Sequence, residues 1–557
     1  MRSTFAGLNT MVRGISSNKL SLDTVGHNIS NAATTGYSRQ SVNLAATRGQ
    51  AVSSIYGDAI VGTGVDATSI TRARNVYADK QYWNETATQN YYATKQTNYD
   101  KVESIFNDSG NTGIQNTLKE FYSSWSSLSP SASTSDTRIS LVSKAQSFVS
   151  SVKTAAKQLQ SQIAANYDDM SSGIMKINKL TDQIAQLNQN IMTTESNGAS
   201  ANDLRDQRDN MVDELSKYTS LNVYEDSNGM YSVVSNGVSL VNGVNKLTLQ
   251  MSDPIANNTY GVNDYNIEIK EAGTTFMPSN GILKGLQDTI AEDKTYIDGL
   301  SNVSATMMTT LNAQHQQGAG IDSAASSGLN FFGSNDMTYT WDAANNAVVA
   351  TATTRTQTAS TVAGVTTYTL TKTLDSSKTT SLKGINIIDA MNVADEITAT
   401  GGQNLIAART TSGTAGTPTT VGTKTTTVTT FTSATMNGTG DCTNAVAIST
   451  LFNMGQSNTP DTTTPRAIGE ISINSYYSTM TSKLGSNSED IDDKAKSQDD
   501  LITQIKNWRS STSGVDWNEE LTNMIKFQQG YSACSRCLTT MDEMLDKLVN
   551  STGTVGR

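Results

Sequence analysis

Cationic runs, histidine, cysteine, proline and long apolar stretches are all scarce in this chain, and each scarcity excludes a class of function. Its 557 residues include three cysteines, Cys442, Cys534 and Cys537. An odd, sparse set of this kind is no disulfide framework. Two histidines, His27 and His315, leave little for a His-based metal site or triad, and no cofactor is expected. The net charge is −11 with no Lys/Arg-rich run. That argues against nucleic acid, whose phosphates demand a basic footprint, and against an anionic membrane surface. No run of about 18 apolar residues exists, so membrane insertion is not expected. The N-terminal stretch lacks the apolar core of an ordinary secretory signal. A cytosolic protein, or one exported by a route without such a signal, is the expectation.

What remains is a long, acidic, weakly apolar chain, 36% hydrophobic and 6% aromatic. Its length predicts three or four domains, with thin, elongated cores. Six prolines leave long helices and strands uninterrupted.

Residues 1–31 read as a helix. Leu8, Ile15, Leu22 and Ile29 recur every seven residues, with Met11 and Val25 three residues after two of them, an a/d stripe. The last helix, about 517–549, repeats the pattern. Met524, Tyr531, Leu538 and Leu545 form one row, and Phe527, Cys534, Met541 and Leu548 the other. Asp516 and Glu519 sit where a capping box places them. Inside these ends lie two further rows: Ile163, Met170, Ile177, Ile184 and Ile191, with Leu180 and Leu187, and Tyr477, Leu484, Ile491 and Ile505, interrupted by Gln498. The simplest solution pairs N-terminal with C-terminal helices in a rod whose termini lie together.

The middle differs. Asn228-Gly229, Asn236-Gly237 and Asn242-Gly243 fall between short alternating runs in 221–280, a hairpin signature. A helix returns at about 282–315. Residues 331–465 are rich in Thr, Ser, Gly and Ala, and threonine alternating with apolar residues favours exposed strands. Disorder competes with that reading. A helical segment at 385–397 favours a folded β domain. The expected fold is α+β and multidomain, a coiled-coil rod of paired termini with β-rich domains inserted. The expected divisions are 1–65 with 510–557 (terminal coiled coil), 66–220 with 281–320 and 466–509 (helical rod), 221–280 (hairpins) and 321–465 (Thr-rich outer β domain).

Residues 28–40, NISNAATTGYSRQ, closely resemble the signature that follows the first helix in the rod, hook and hook-associated proteins of bacterial flagella. Asn28, Asn31, Thr34, Gly36 and Tyr37 match the broader axial pattern. Ser38, Arg39 and Gln40 extend it in the form typical of the hook-associated protein 1 family. Thr35 stands where the family often has proline. Further matches follow in the family's order: Asn202–Asp209, reading NDLRDQRD; Gly281–Leu286, reading GILKGL; Leu311-Asn312 with His315, Gly318, Asp322 and Phe331-Phe332; and Ser513-Gly514-Val515, Glu519-Glu520, Gln528-Gln529, Tyr531 and Ala533. The resemblance covers roughly 1–333 and 466–549 and leaves the Thr-rich insert unmatched.

That resemblance implies a non-enzymatic structural adaptor at the hook–filament junction. It implies export through the flagellar secretion apparatus without a cleaved signal, and an extracellular place in the flagellum. The implied partners are further copies in the axial tube, hook protein, hook-associated protein 3, and an export chaperone on the C-terminal helix. Hook protein and hook-associated protein 3 are the alternatives within the class. A surface adhesin using the Thr-rich insert, or an inserted hydrolase, are alternatives outside it.

Blander readings stand beside these. The terminal heptads can close an intramolecular core, or fold only on assembly against neighbouring subunits, to which the small and polar residues opposite the stripe are suited. Cys534-Ser-Arg-Cys537 lies mid-helix, where small packing residues are expected rather than a redox pair. His315 reads as hydrogen-bonded structure, and His27 as a cap. The acidic run 489–493 reads as a solvated helix face, and Arg205 with Asp209 as a surface i,i+4 pair.

Overall fold

The isoleucine row at 163–191 marks the spine of the molecule. A computed structural model describes residues 6–54, 57–106, 113–455 and 466–551. Residues 1–5 of the expected first helix and 456–465 of the expected outer domain lie outside these. In it α4 (Ser135–Glu195) runs unbroken for 61 residues. Ile163, Met170, Ile177, Leu180, Ile184 and Ile191 are all buried, and Leu187 is half-buried. Against α4 pack α2 (Val76–Phe106), α3 (Ile114–Ser127), α5 (Asn202–Leu215) and α6 (Gly281–Thr306). The penultimate helix, Ile473–Ser513, lies along α2. Its row Tyr477, Leu484, Ile491 and Ile505 is buried without a break. Gln498 keeps its place because its amide donates to the Glu85 carboxylate at 2.6 Å and to the Glu85 carbonyl. A buried polar group with its bonds made costs little.

α6 continues through a π turn, Met307–Leu311, into a last turn at Asn312–His315, as the sequence predicts. The hairpin signature is also met. β5 (Asn222–Glu225), β6 (Tyr231–Ser235) and β7 (Val238–Asn242) form an antiparallel meander. Asn236 and Gly237, with φ of 44° and 82°, make the two-residue turn whose twist suits a hairpin.

The Thr-rich region is folded β. Strands Met337–Asp342, Ala347–Val362, Val365–Leu382 and Lys424–Thr432 lie side by side in an antiparallel sheet, edged by Thr414–Ala415. Paired threonines face each other across it, as at Thr338–Thr353 and Thr373–Thr426. The helix expected at 385–397 is two short ones, Ile385–Ala390 and Asp395–Thr398. Between them the chain is extended so that Val393 can bridge Phe332.

The termini pair as the heptads require. α1 (Ala6–Asn31) runs antiparallel to the last helix, Trp517–Ser551. A Cβ on Gly7 would meet Met541, one on Gly14 would meet the Cys534 sulfur, and one on Gly530 would meet Asn18. The fold is thus α+β, with paired terminal helices and β-rich insertions. Residues 40–72, for which the sequence reading placed no strands, fold as nested hairpins. β1 (Gln40–Ala46) pairs with β4 (Val65–Arg72), and β2 (Gln50–Ser54) with β3 (Gly57–Val61).

Candidate assembly site where the chain ends meet the rod

The segment 28–40 leaves α1, turns, and enters β1. Its polar side chains tie four elements together. Asn28 is buried at the end of α1 and fills its hydrogen-bonding capacity. Its Nδ2 donates to the Gln40 carbonyl (2.9 Å) and to Glu520 Oε2 (3.2 Å). Its Oδ1 accepts from the Gln40 N–H (2.9 Å) and the Tyr37 hydroxyl (2.8 Å). Asn31 Oδ1 accepts from Thr34, which shapes the turn. Gly36 takes φ +77°, the left-handed region that favours glycine. A Cβ there would lie 1.7 Å from Asn210 Oδ1, so α5 needs the bare backbone as well. His27 caps nothing. Its Nδ1 lies 3.0 Å from the Tyr37 hydroxyl, where the ring meets Tyr37 edge-on.

The next three residues reach outward. The Ser38 N–H donates to Asp206 Oδ2 (2.9 Å). Arg39 donates its N–H to the Ser513 carbonyl and pairs with Glu519 at 2.7 Å. Gln40 donates to Asp203 and accepts from Asn202. Two sequence motifs more than 160 residues apart are therefore one site. The start of the last helix belongs to it too. Asp516 accepts from the backbone N–H of Asn518 and Glu519, as a cap should, while the Glu519 side chain turns to Arg39.

The reading of Arg205 and Asp209 as a surface pair is overturned. Arg205 binds Glu195 (2.7 Å) and Glu225 (2.5 Å). Asp209, 1% exposed, binds Arg72 at 2.8 Å and Arg74 at 3.2 Å, and accepts from Tyr231 at 2.8 Å. Arg72 also binds Asp206 (2.5 Å). Arg74 binds Asp79, which together with Asp213 holds Arg509. The sequence reading missed Arg72, Arg74, Arg509, Asp79 and Asp213. A signal was present, because Arg72 and Arg74 two apart on an extended run point to one face. Burial alone would raise the Asp209 carboxyl, but Arg74 and Arg72 hold it below its ordinary value. The network clamps both chain crossings between the terminal helices and the rod, near 72–76 and 509–516.

Along the helix pair, Leu8, Ile15, Leu22, Ile29, Met524, Leu538 and Leu545 are half-buried, and Tyr531 is exposed. The deepest positions on α1 are Gly14, Ser17, Ser21, Thr24, Val25 and Asn28. Several of the polar side chains along α1 bond the molecule's own β hairpin. Ser17 donates to the Val65 carbonyl, Thr10 donates to that of Thr63, and Arg13 pairs with Asp66. Leu521, Ile525, Met544, Leu548 and Val549 of the last helix are exposed. Cys534 and Cys537 are free thiols, the first half-buried against Gly14 and the second exposed. His315 is wholly buried, bonded to backbone on both sides of its ring. Among the described residues no three His, Cys, Asp or Glu side chains are grouped to hold a metal ion, and no helix is long and apolar enough to cross a membrane.

Comparison with known proteins agrees with this arrangement. Residues 99–332 match the family described as the flagellar hook-associated protein FlgK helical domain. Residues 509–551 match the flagellar basal body rod FlgEFG protein C-terminal family. Flagellar hook-associated protein 1 of Bacillus subtilis (strain 168) is 25% identical over 592 aligned positions, covering 100% of both chains. Its namesakes from Salmonella typhimurium and Escherichia coli are 26% and 25% identical, covering 98% of this chain and 99% of theirs. The fold is shared with the flagellar hook junction protein FlgK from Burkholderia pseudomallei, at TM-score 0.56 and 17% identity, over 78% of this chain and 100% of that one. Full-length relatives, matches to the helical rod and the last helix, and a shared fold make the chain similar along its whole length to flagellar hook-associated protein 1.

Proposed function

We propose that the chain is a non-enzymatic structural adaptor at the hook–filament junction. In this reading it polymerises on the hook and templates later hook-associated protein and filament assembly. The observation that carries it is the paired terminal helices, clamped to the rod yet keeping their apolar rows only half covered. A protein that worked alone would gain by covering them, since each square ångström of apolar surface removed from water is worth about 25 cal/mol. Neighbouring copies in a closed tube would cover them, with the 1–65 and 510–557 parts inward and the Thr-rich domain outward. The names of the full-length relatives and of the Burkholderia protein support the same assignment.

The partners follow from that position: hook protein beneath, hook-associated protein 3 above, and copies of the chain alongside. Before export the stripe from Met524 to Leu548 would be held by a chaperone, since an apolar helix face suits a groove. Export would then proceed through the flagellar secretion apparatus without a cleaved signal, to an extracellular position. The motif residues 28–40 would set the direction in which the helix pair leaves the rod.

The test is electron microscopy of cells lacking the gene, with flagellin assayed in the medium. Bare hooks and flagellin lost to the medium are expected. Intact filaments would remove the junction role.

A further inference from the structure

The chain enters the inserted β domain near 329–332 and touches the rod again near 406–409 before re-entering the sheet at 414–432, and four buried side chains clasp the first two of these segments. Asn312 accepts from the N–H groups of Phe331 and Phe332 and donates to the Phe332 carbonyl. Arg138 donates to the carbonyls of Gln403 and Ile406. Asn444 donates to the Ala407 carbonyl at 2.6 Å. His315, 0% exposed, spans both segments: Nδ1 lies 2.8 Å from the Leu329 carbonyl, and Nε2 accepts the Ala407 N–H at 3.0 Å.

This geometry admits one form of the ring. A backbone N–H donates to Nε2, so Nε2 carries no proton. Nδ1 faces a carbonyl, so it carries one. The imidazole is neutral with both nitrogens satisfied. A second proton would set Nε2–H against the Ala407 N–H, donor against donor, at a ring closed off from solvent. The surroundings offer the added charge nothing. α3 presents Trp125 and the departing segment presents Phe331, both edge-on to the ring. α4 presents the cation Arg138, and beyond it stands Arg409, which is faced by Asp322 and Asp441. Among the described residues no carboxylate is paired with the ring. Of the four clasping side chains, only His315 can exchange its donor and acceptor pattern in weak acid.

We propose that His315 is an acid-released latch. Neutral, it holds the two segments of the β domain to the rod; protonated, it lets them part while the rod helices stay packed. Desolvation lowers the imidazole to about 4, against about 6.5 in an unfolded chain. A base lowered by folding contributes its stability fully above the unfolded value and loses it as pH falls toward the folded one. The latch therefore weakens between about 6.5 and 4, and it opens at the lower end.

Deuterium exchange at the imidazole C2, read by mass spectrometry on the full chain, separates the two histidines. The expected midpoint for His315 is about 4. The amides of 331–332 and 407–408, corrected for intrinsic exchange, should lose protection in the same window, while those of 163–191 keep it. His315→Gln retains an acceptor and a donor but cannot titrate, so its amide protection should show no such step. A His315 midpoint near the unfolded value of about 6.5, or an unchanged protection step in His315→Gln, would overturn the latch. If that variant does not fold, the wild type still decides. Coincident imidazole and amide midpoints support the latch, and separate ones refute it.

Discussion

Asn28, at the end of α1, donates a hydrogen bond to Glu520, one turn into the last helix, and both side chains are buried. The two ends of a 557-residue chain thus meet in one polar contact, which is also the centre of the 28–40 turn. Asn28→Asp replaces that donor with a second carboxylate facing Glu520. The loss should be about 2–4 kcal/mol, from an unmade buried bond and a like-charge contact. It should fall on the helix pair alone. The expected result is faster tryptic cleavage at Arg39 in the full chain, with the thermal transition of the rod unmoved. Unchanged cleavage would mean that the contact does not hold the ends together.

Asp209 should be among the costliest single side chains to remove. Asp209→Ala leaves Arg72, Arg74 and the Tyr231 hydroxyl short of a partner in a dry site. Breaking one side of a buried ion network costs about 3–5 kcal/mol. Urea unfolding should show that loss for Asp209→Ala and well under 1 kcal/mol for Asp490→Ala, whose pair with Lys494 is exposed and screened by solvent. Equal effects would remove the clamp from the account.

How much of this was legible beforehand depended on whether the partner of each residue was local. The rows at 163–191 and 477–505 and the Asn236-Gly237 turn could be read because period and turn chemistry are properties of adjacent residues. The pairing of the termini followed from two matching rows. Asp209 was misread because its partner Arg72 lies at the end of β4, more than 130 residues earlier, and i,i+4 spacing offered a nearer candidate in Arg205. The strands of residues 40–72 were overlooked because no Asn-Gly dipeptide separates their runs, as three do in 221–280. The break in the 385–397 helix is set by the bridge from Val393 to Phe332, a tertiary demand that no local pattern announces. Gln498 read as a fault in a heptad, and it is a bonded member of the row.

The rod should gain stability in mild acid from Asp293. Its side chain is wholly buried between Asn98 and Asn166. Desolvation, with a contribution from the neighbouring Glu292 carboxylate, raises it to about 7. An acid raised by folding favours the protonated native state, so stability should increase as pH falls from about 7 to about 4. Three pKa units correspond to about 4 kcal/mol at most. Asp293→Asn removes the titration. Subtracting its urea midpoint from that of the wild type at pH 5 and pH 8 isolates the effect from His315, and a difference independent of pH would contradict the burial argument.

Two glycines separate backbone need from mere occupancy. Gly36→Ala must strain a φ of +77° and displace Asn210. It should cost about 1–2 kcal/mol for the backbone, with more for the clash, and loosen the turn from α5. Gly26→Ala, mid-helix with open space around it, should stabilise α1 by about 0.5–1 kcal/mol. Hydrogen exchange along α1 and the turn reads both, and opposite signs are expected.

The seam itself is tested by Leu538→Asp, with Met175→Asp on the exposed face of α4 as the control. Leu538 is half-covered by α1, so a carboxylate there can still reach water in the isolated chain. The penalty in the monomer should be modest, and the β domains should melt unchanged. In a tube the same position would be closed off by neighbours, where an unpaired charge is far more costly. Incorporation onto hooks should therefore be lost for Leu538→Asp and kept for Met175→Asp, scored by electron microscopy of complemented cells. If Leu538→Asp assembles normally, the row serves only to pair the two terminal helices, and the contacts between copies must be sought on the exposed face of Leu521, Ile525 and Met544 instead.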